Sequence, residues 1–239
     1  MCLLILHHRL IPGYPTVVGA NRDEARDRPS EPAQIWPAGF LAPKDARSGG
    51  TWLGLARTGL VVGITNRSRE RADPSRPSRG LLVTEALGAG TARAAMARVE
   101  RLGFSAPQNP FNLLIADRQD ALLLVGGEDG IQTRALGPGT HVLTNEHELG
   151  ELDLGPIPPP TAIEPALAQL ADLCRGHGTN GGYAVCKHGE RYGTVSSALI
   201  AAGDGEPHRY LALEGLPCQG EYQTPAGIAA FLTAPAGRR

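Results

Sequence analysis

The sequence predicts an α+β fold: two stacked, mainly antiparallel sheets with helices on their outer faces. Three observations carry this. Short apolar segments bounded by turn residues come in clusters, instead of alternating singly with helices as in a βαβ chain. Helical periodicity is confined to 80–102 and 162–174. Glycine and proline are abundant, 31 and 20 of 239 residues, and they fall between the apolar segments, where turns are needed.

Taken in order, Cys2–Leu10 reads as a buried strand and Thr16–Asn21 as its hairpin partner, with Pro12-Gly13-Tyr14-Pro15 as the turn. Short strands follow near Gln34–Trp36 and Phe40–Ala42. Thr51–Arg57 and Leu60–Asn66 form a hairpin across Thr58-Gly59, and Arg67–Arg79 is polar and irregular. Two helices, Gly80–Leu87 and Ala92–Leu102, are split by Gly88-Ala89-Gly90. Thr91 caps the second and Gly103 stops it. Asn112–Ala116, Ala121–Val125, Ile131–Ala135 and His141–Asn145 are strands separated by D-R-Q-D, G-G-E-D-G and G-P-G. After the proline-rich connector 155–160, Ala162–Cys174 is amphipathic, with Ile163, Ala166, Leu167, Leu170, Leu173 and Cys174 on one face. Gly193–Ala202 and Arg209–Glu214 complete the strands. With no repeat and no linker, 1–239 reads as a single domain, and its 41% hydrophobic content is enough for a sizeable core.

A formal charge of −1 makes no electrostatic case for nucleic acid. No apolar run approaches the ~20 residues of a membrane span, and Leu3–Leu6 gives way at once to His7, His8 and Arg9. The expectation is a cytoplasmic protein with no integral membrane segment. Oligomeric state is not legible. The four cysteines, at 2, 174, 186 and 218, contain no C-x-x-C pair. Cys174-x-x-His177 and Cys186-x-His188 are weak zinc patterns. Cys174 falls on the apolar helix face, so core packing is the expected role and no metal is assigned.

The candidate site lies at the N-terminus and in Val17–Pro29, VVGANRDEARDRP. A cysteine acts as a nucleophile only as a thiolate. Removal of Met1, which a residue as small as cysteine permits, would free a Cys2 α-amine with a pKa of ~7.7–8.0, close enough to take the thiol proton. The competing role for Cys2 is plain strand packing. Asn21, Arg22, Asp23 and Glu24 stand together at the expected end of the second strand. Asp23 is suited to orient the amine or thiol, and Arg22, anchored by Glu24, to meet a substrate carboxylate. Asn66 and Asn145 close two other strands, in G-I-T-N and V-L-T-N. There an amide serves either turn chemistry or an oxyanion hole. Trp52 follows the Gly49-Gly50 turn and completes the substrate-binding set with Asn21, Arg22 and Glu24.

Met-Cys-Leu-Leu at the start, V-V-G-A-N-R-D-E at 17–24, R-P at 28–29, S-G-G-T-W-L-G at 48–54, I-T-N at 64–66, S-R-G at 78–80, F-N-L-L at 111–114, L-T-N at 143–145 and Y-G-T at 192–194 together resemble the NRDE family, also called the transport and Golgi organisation protein 2 family. The resemblance runs in order to about Ala202. It implies an N-terminal-nucleophile hydrolase-like, four-layer αββα sandwich. A more distant resemblance, to choloylglycine hydrolase and penicillin V acylase, implies Cys2 as nucleophile, Asp23 as its partner, and Asn66 and Asn145 as oxyanion or amine contacts. Two positions depart from these patterns: Ala20 stands where the acylases carry an arginine, and Val195 where the family reads Y-G-T-R-S.

Two functions follow as expectations. One is a cysteine amidohydrolase for a small or acyl-linked linear amide, requiring no cofactor. The other, which the family resemblance suggests, is a non-catalytic haem or lipid/acyl-CoA binding and trafficking protein, with haem or an acyl chain as its ligand.

Overall fold

In a computed structural model, which describes residues 2–67, 72–105, 107–127, 130–178 and 183–233, the chain forms two antiparallel sheets. Met1, Glu128-Asp129 of the G-G-E-D-G turn and part of the irregular 67–79 stretch lie outside the described residues. The strands are β1 (Cys2–Ile11), β2 (Tyr14–Ala25), β3 (Ser30–Ile35), β4 (Phe40–Asp45), β5 (Leu53–Ala56), β6 (Val61–Asn66), β7 (Phe111–Ala116), β8 (Ala121–Gly127), β9 (Gly130–Leu136), β10 (Gly139–Thr144), β11 (Tyr192–Ala202) and β12 (Arg209–Glu214). The helices are α1 (Gly80–Leu87), α2 (Ala92–Ser105), α3 (Ile163–Arg175) and α4 (Ala229–Thr233). One sheet has the order β10-β1-β2-β11-β12 and the other runs from β3 to β9 in sequence.

Strand alternation builds the layers. Leu4 and Leu6 of β1, with Val18 and Ala20 of β2, face inward onto Leu53, Leu55, Leu114 and Leu123 of the other sheet. Leu3, Ile5 and Val17 face outward onto Ala166 and Leu170 of α3. Residue 19 must be glycine for α3 to sit this close, since a Cβ there would stand 3.0 Å from Cβ of Leu170. Leu170 is fully buried, so truncation to alanine should cost about 2–5 kcal/mol. On the opposite face of the molecule, Leu82, Val83 and Ala86 of α1 and Ala95 and Val99 of α2 pack on Phe40, Val62 and Leu113. The result is the expected four-layer sandwich. No helix among the described residues is long and apolar enough to cross a membrane.

Three local differences from the sequence reading have physical causes. The first hairpin turn is only Pro12-Gly13, because Tyr14 already pairs with Ile11. The short helix α4 has no counterpart in the sequence reading. It buries Phe231, over whose ring the Arg57 guanidinium sits at 4.6 Å. Most consequentially, β2 does not stop at Asn21. The strand β11 pairs with it as far as Tyr192 opposite Ala25, so Asn21–Glu24 continue the alternation of a strand instead of clustering at its end.

Candidate active site

The extension of β2 sorts the N-R-D-E residues onto two faces. Arg22 is the register partner of Cys2. Both follow the even-numbered, inward face that carries Leu4, Leu6 and Ala20, and they open into a cleft of about 370 Å³ at the end of the inter-sheet core. Glu24, Arg28, Trp52, Asn66 and Arg79 also line it. The Arg22 guanidinium stacks 4.1 Å above the Trp52 ring and lies 3.9 Å from Asp45. Its side chain is only 4% exposed, and Nη2 has no hydrogen-bond partner among the described residues. Burial lowers its proton affinity, against the charges of Glu24, Cys2 and Asp45.

Asp45 anchors Arg28 as well, at 2.8 Å. Its burial pushes the carboxyl up, but the Arg28 bond and the amides of Ser48 and Arg47 outweigh that and hold it below its ordinary range. Glu24 supports Arg22 through its charge and not through the direct ion pair that its place in the motif suggests. It instead accepts the Ala25 amide at 2.9 Å and reaches Arg28 at 3.8 Å.

A second cation, Arg79, comes from a contact between two glycines. A Cβ on Gly50 would lie 2.5 Å from the Gly80 carbonyl carbon, and Thr51 N–H donates to Gly80 O at 3.2 Å. The S-G-G-T-W turn thereby docks against the start of α1 and brings Arg79 over the cleft, where it donates to Pro110 O at 2.8 Å. In its thiolate form Cys2 interacts favourably with both Arg22 and Arg79. Arg191, the nearest arginine in the chain to Val195, is exposed. Val195 occupies a bulge, since Thr194 pairs with Asp23 and Ser196 with Arg22.

Cys2 itself is half-buried. Desolvation pushes its thiol above the ordinary value and the charge of the Asp23 carboxylate adds to the rise, while a hydrogen bond from the Asp23 backbone amide and the positive charge of Arg22 offset it only in part.

The odd-numbered face holds a different set. The Asp23 carboxylate accepts from Thr194 Oγ1 at 2.7 Å and lies 4.0 Å from Lys187 Nζ. Burial pushes this carboxyl up, and the Thr194 bond opposes the rise. Tyr192 OH donates to the Asp23 carbonyl at 2.6 Å. Asp23 therefore meets the thiol through its amide, with its carboxylate directed at β11. Asn21, expected to bind substrate, is turned away from the cleft. Its Nδ2 donates to the carbonyls of Cys174 at 2.8 Å and Val185 at 3.2 Å, because the alternation of β2 places it under α3.

The two asparagine strand ends are tied across the sheets. Thr65 Oγ1 and Asn112 Nδ2 both donate to Thr144 O at 3.2 Å, which explains the asparagine of F-N-L-L. Thr144 pairs with Leu3, the neighbour of Cys2. Asn66 lines the cleft. Asn145 follows Thr144 and is buried, its Oδ1 without a partner among the described residues. Sequence reasoning misses Arg79, Thr194 and Lys187. The S-R-G and Y-G-T motifs hold the first two, but nothing local indicates their roles.

Residues 1–177 match the sequence profile of the family described as Transport and Golgi organisation 2. The chain belongs to that family. Its curated relatives include the mouse Transport and Golgi organization 2 homolog and the human Transport and Golgi organization protein 2 homolog, 30% and 31% identical over 142 residues. These matches take in 55% of this chain and 51% of each relative, so the chain spans about half the length of the curated relatives it matches. Among solved structures, the Caenorhabditis elegans N-acylethanolamine-hydrolyzing acid amidase ortholog superposes with a TM-score of 0.54 at 12% identity, over 84% of this chain and 93% of that one. A point variant of conjugated bile acid hydrolase from Clostridium perfringens gives 0.50 at 11%, over 94% and 96%. At such identities the likeness is one of fold: this Transport and Golgi organisation 2 family member has the N-terminal-nucleophile-hydrolase-like sandwich.

Proposed function

We propose that this family member is a cysteine amidohydrolase whose nucleophile is Cys2. The observation that carries the reading is the pairing of Cys2 with Arg22 in the cleft, with Arg79 as a second cation and Asn66 alongside. Two guanidinium groups take over the charge role of the arginine that Val195 replaces. The α-amine released by loss of Met1 accepts the thiol proton, and Cys2 Sγ attacks the amide carbonyl. The amide groups of Asn66 and Asn145 receive the developing oxyanion. The leaving amine takes that proton as it departs, and water then hydrolyses the thioester. Asp23 fixes the geometry by its backbone amide and by its link to Thr194. The cationic, partly desolvated wall selects an amide that carries an anionic group.

The test is amine release from a panel of acyl amides, N-acylethanolamines and bile-acid conjugates among them, together with iodoacetamide labelling and intact mass. Cys2 should label faster than Cys174, whose thiol burial pushes up to about 12, and the mass should lack Met1. Retained Met1 on cell-derived protein, or equally slow labelling of all four cysteines, would end the hydrolase reading.

The desolvation of the Cys2 thiol favours a second reading, non-catalytic binding of haem or an acyl ligand whose carboxylates meet Arg22 and Arg79. In that case Cys2→Ser binds haem or fatty acyl-CoA as wild type does, and no amide is turned over.

A further inference from the structure

On the face of the sheet opposite the Cys2 cleft, four side chains from three separate segments converge. They are His177, just after α3; Cys186 and His188, in the connection to β11; and Cys218, just after β12. One ligand-capable atom from each lies within 4.8 Å of all the others. Cys186 Sγ is 3.5 Å from Cys218 Sγ and 3.7 Å from His188 Nε2, and Cys218 Sγ is 3.2 Å from the same nitrogen. A tetrahedral zinc with Zn–S of about 2.3 Å and Zn–N of about 2.0–2.1 Å needs S···S near ~3.8 Å and S···N near ~3.6 Å. We propose that these four residues form a structural zinc site.

Core packing does not account for the arrangement. His177 and His188 are exposed, so their rings add little to a core, yet the centroids stand 4.8 Å apart. Two thiolates and two neutral imidazoles match zinc in charge and softness: the +2 ion and the two sulfurs sum to zero. Binding forms two Zn–S and two Zn–N bonds and releases the two thiol protons to solvent.

The backbone around the ligands is already held. Gly176 O accepts the amides of Val185 at 3.0 Å and Cys186 at 2.8 Å, which places Cys186 beside His177. Lys187, between two ligands, exchanges hydrogen bonds with Thr194 in both directions at 2.9 Å. Arg175 Nε donates to Pro217 O at 3.1 Å and ties the Cys218 turn to the end of α3. Four protein ligands leave no coordination position open, so the ion acts on structure. It cross-links α3, the 185–188 segment and the turn after β12, and it holds Lys187 against Asp23.

The experiment is zinc titration of the full chain, reduced and stripped with a chelator, against a competing chromophore. Elemental analysis and cobalt substitution accompany it. The expected result is about one zinc per chain, with the visible bands of tetrahedral Co²⁺ and a thiolate-to-cobalt charge-transfer band. His188→Ala and Cys218→Ser should each weaken zinc binding roughly tenfold or more. His177→Ala and His188→Ala alter exposed rings, so circular dichroism should show them folded and keep the result readable even where a cysteine variant misfolds. No zinc uptake by folded wild-type protein, full stoichiometry retained in His177→Ala/His188→Ala, or a metal-free Cys186–Cys218 disulfide in anaerobically purified protein would each overturn the proposal.

Discussion

The two faces of β2 make the instructive comparison. Residues 22 and 23 are neighbours in the chain, yet they serve different regions. Arg22 joins Cys2, Trp52 and Arg79 in the inter-sheet cleft, where a buried guanidinium nitrogen lacks a hydrogen-bond partner among the described residues. Asp23 joins Thr194 and Lys187 on the outer face, where Lys187 sits between Cys186 and His188. A strand can thus back a reactive cleft with a rigid support, because alternation sends successive side chains to opposite sides while one ladder of backbone bonds holds both. The cleft is suited to chemistry and the outer cluster to holding a fixed shape.

The sharpest way to break this division is a pair of cysteine variants. Cys2→Ser should lower amide hydrolysis by at least on the order of 10³-fold and leave zinc stoichiometry unchanged. Cys218→Ser should do the reverse, losing zinc while a measurable part of the hydrolysis survives in the folded fraction. Amine release and elemental analysis on the same samples check both. If Cys218→Ser, still folded by circular dichroism, abolishes turnover as completely as Cys2→Ser, the two regions are one site.

Within the strand, the next effect separates Arg22 from Asp23. Arg22→Met removes a cation beside the thiol, which should raise the Cys2 pKa and slow iodoacetamide labelling near neutral pH by roughly tenfold. Asp23→Asn keeps the backbone amide that faces the sulfur and changes only a carboxylate directed the other way. Because the charge of that carboxylate disfavours the thiolate, the variant should speed labelling about two- to threefold. Slower labelling in Asp23→Asn, with Arg22→Met unchanged, would mean that the Asp23 carboxylate, not Arg22, holds the nucleophile in its reactive form.

How much of this is legible beforehand follows from the range of each interaction. The amphipathic α3, the strands of β1 and β7 to β10, and the sandwich itself announce themselves through local periodicity. Of the residues singled out from the sequence, Cys2, Arg22, Glu24, Trp52 and Asn66 do line one cleft. The facing of Asn21 and Asp23 is not legible, because it depends on how far β2 extends. That is set by pairing with β11, about 170 positions away along the chain. Arg79 is hidden for a similar reason: its place depends on Gly50 meeting Gly80. Cys218 shares no short spacing with Cys186 and His188, so only the fold brings the fourth ligand in. The helix α4 has five residues, too few to show a period.

The smallest expected effect concerns stability, and it sets the two faces against each other through Asp23. Burial raises its carboxyl above the ordinary value, even though Thr194 and Lys187 oppose the rise. A carboxyl raised in the folded state binds protons more readily folded than unfolded. Its stabilising contribution is complete below the unfolded value, ~3.8–3.9, and is lost as pH climbs through the folded value. At neutral pH the ionised group is therefore a net burden on the fold. The amide of the Asp23→Asn variant cannot ionise, yet its oxygen can still accept from Thr194. The variant should melt a few °C higher than wild type at pH 7, and the difference should shrink as the pH falls toward about 4. Thermal unfolding followed by circular dichroism across that range checks it. The same substitution would then stabilise the protein and ease ionisation of Cys2, because one buried carboxylate charge opposes both. A variant less stable at pH 7 would show instead that the Lys187 and Thr194 contacts outweigh the burial of the carboxylate, making the outer face the stronger anchor of the two.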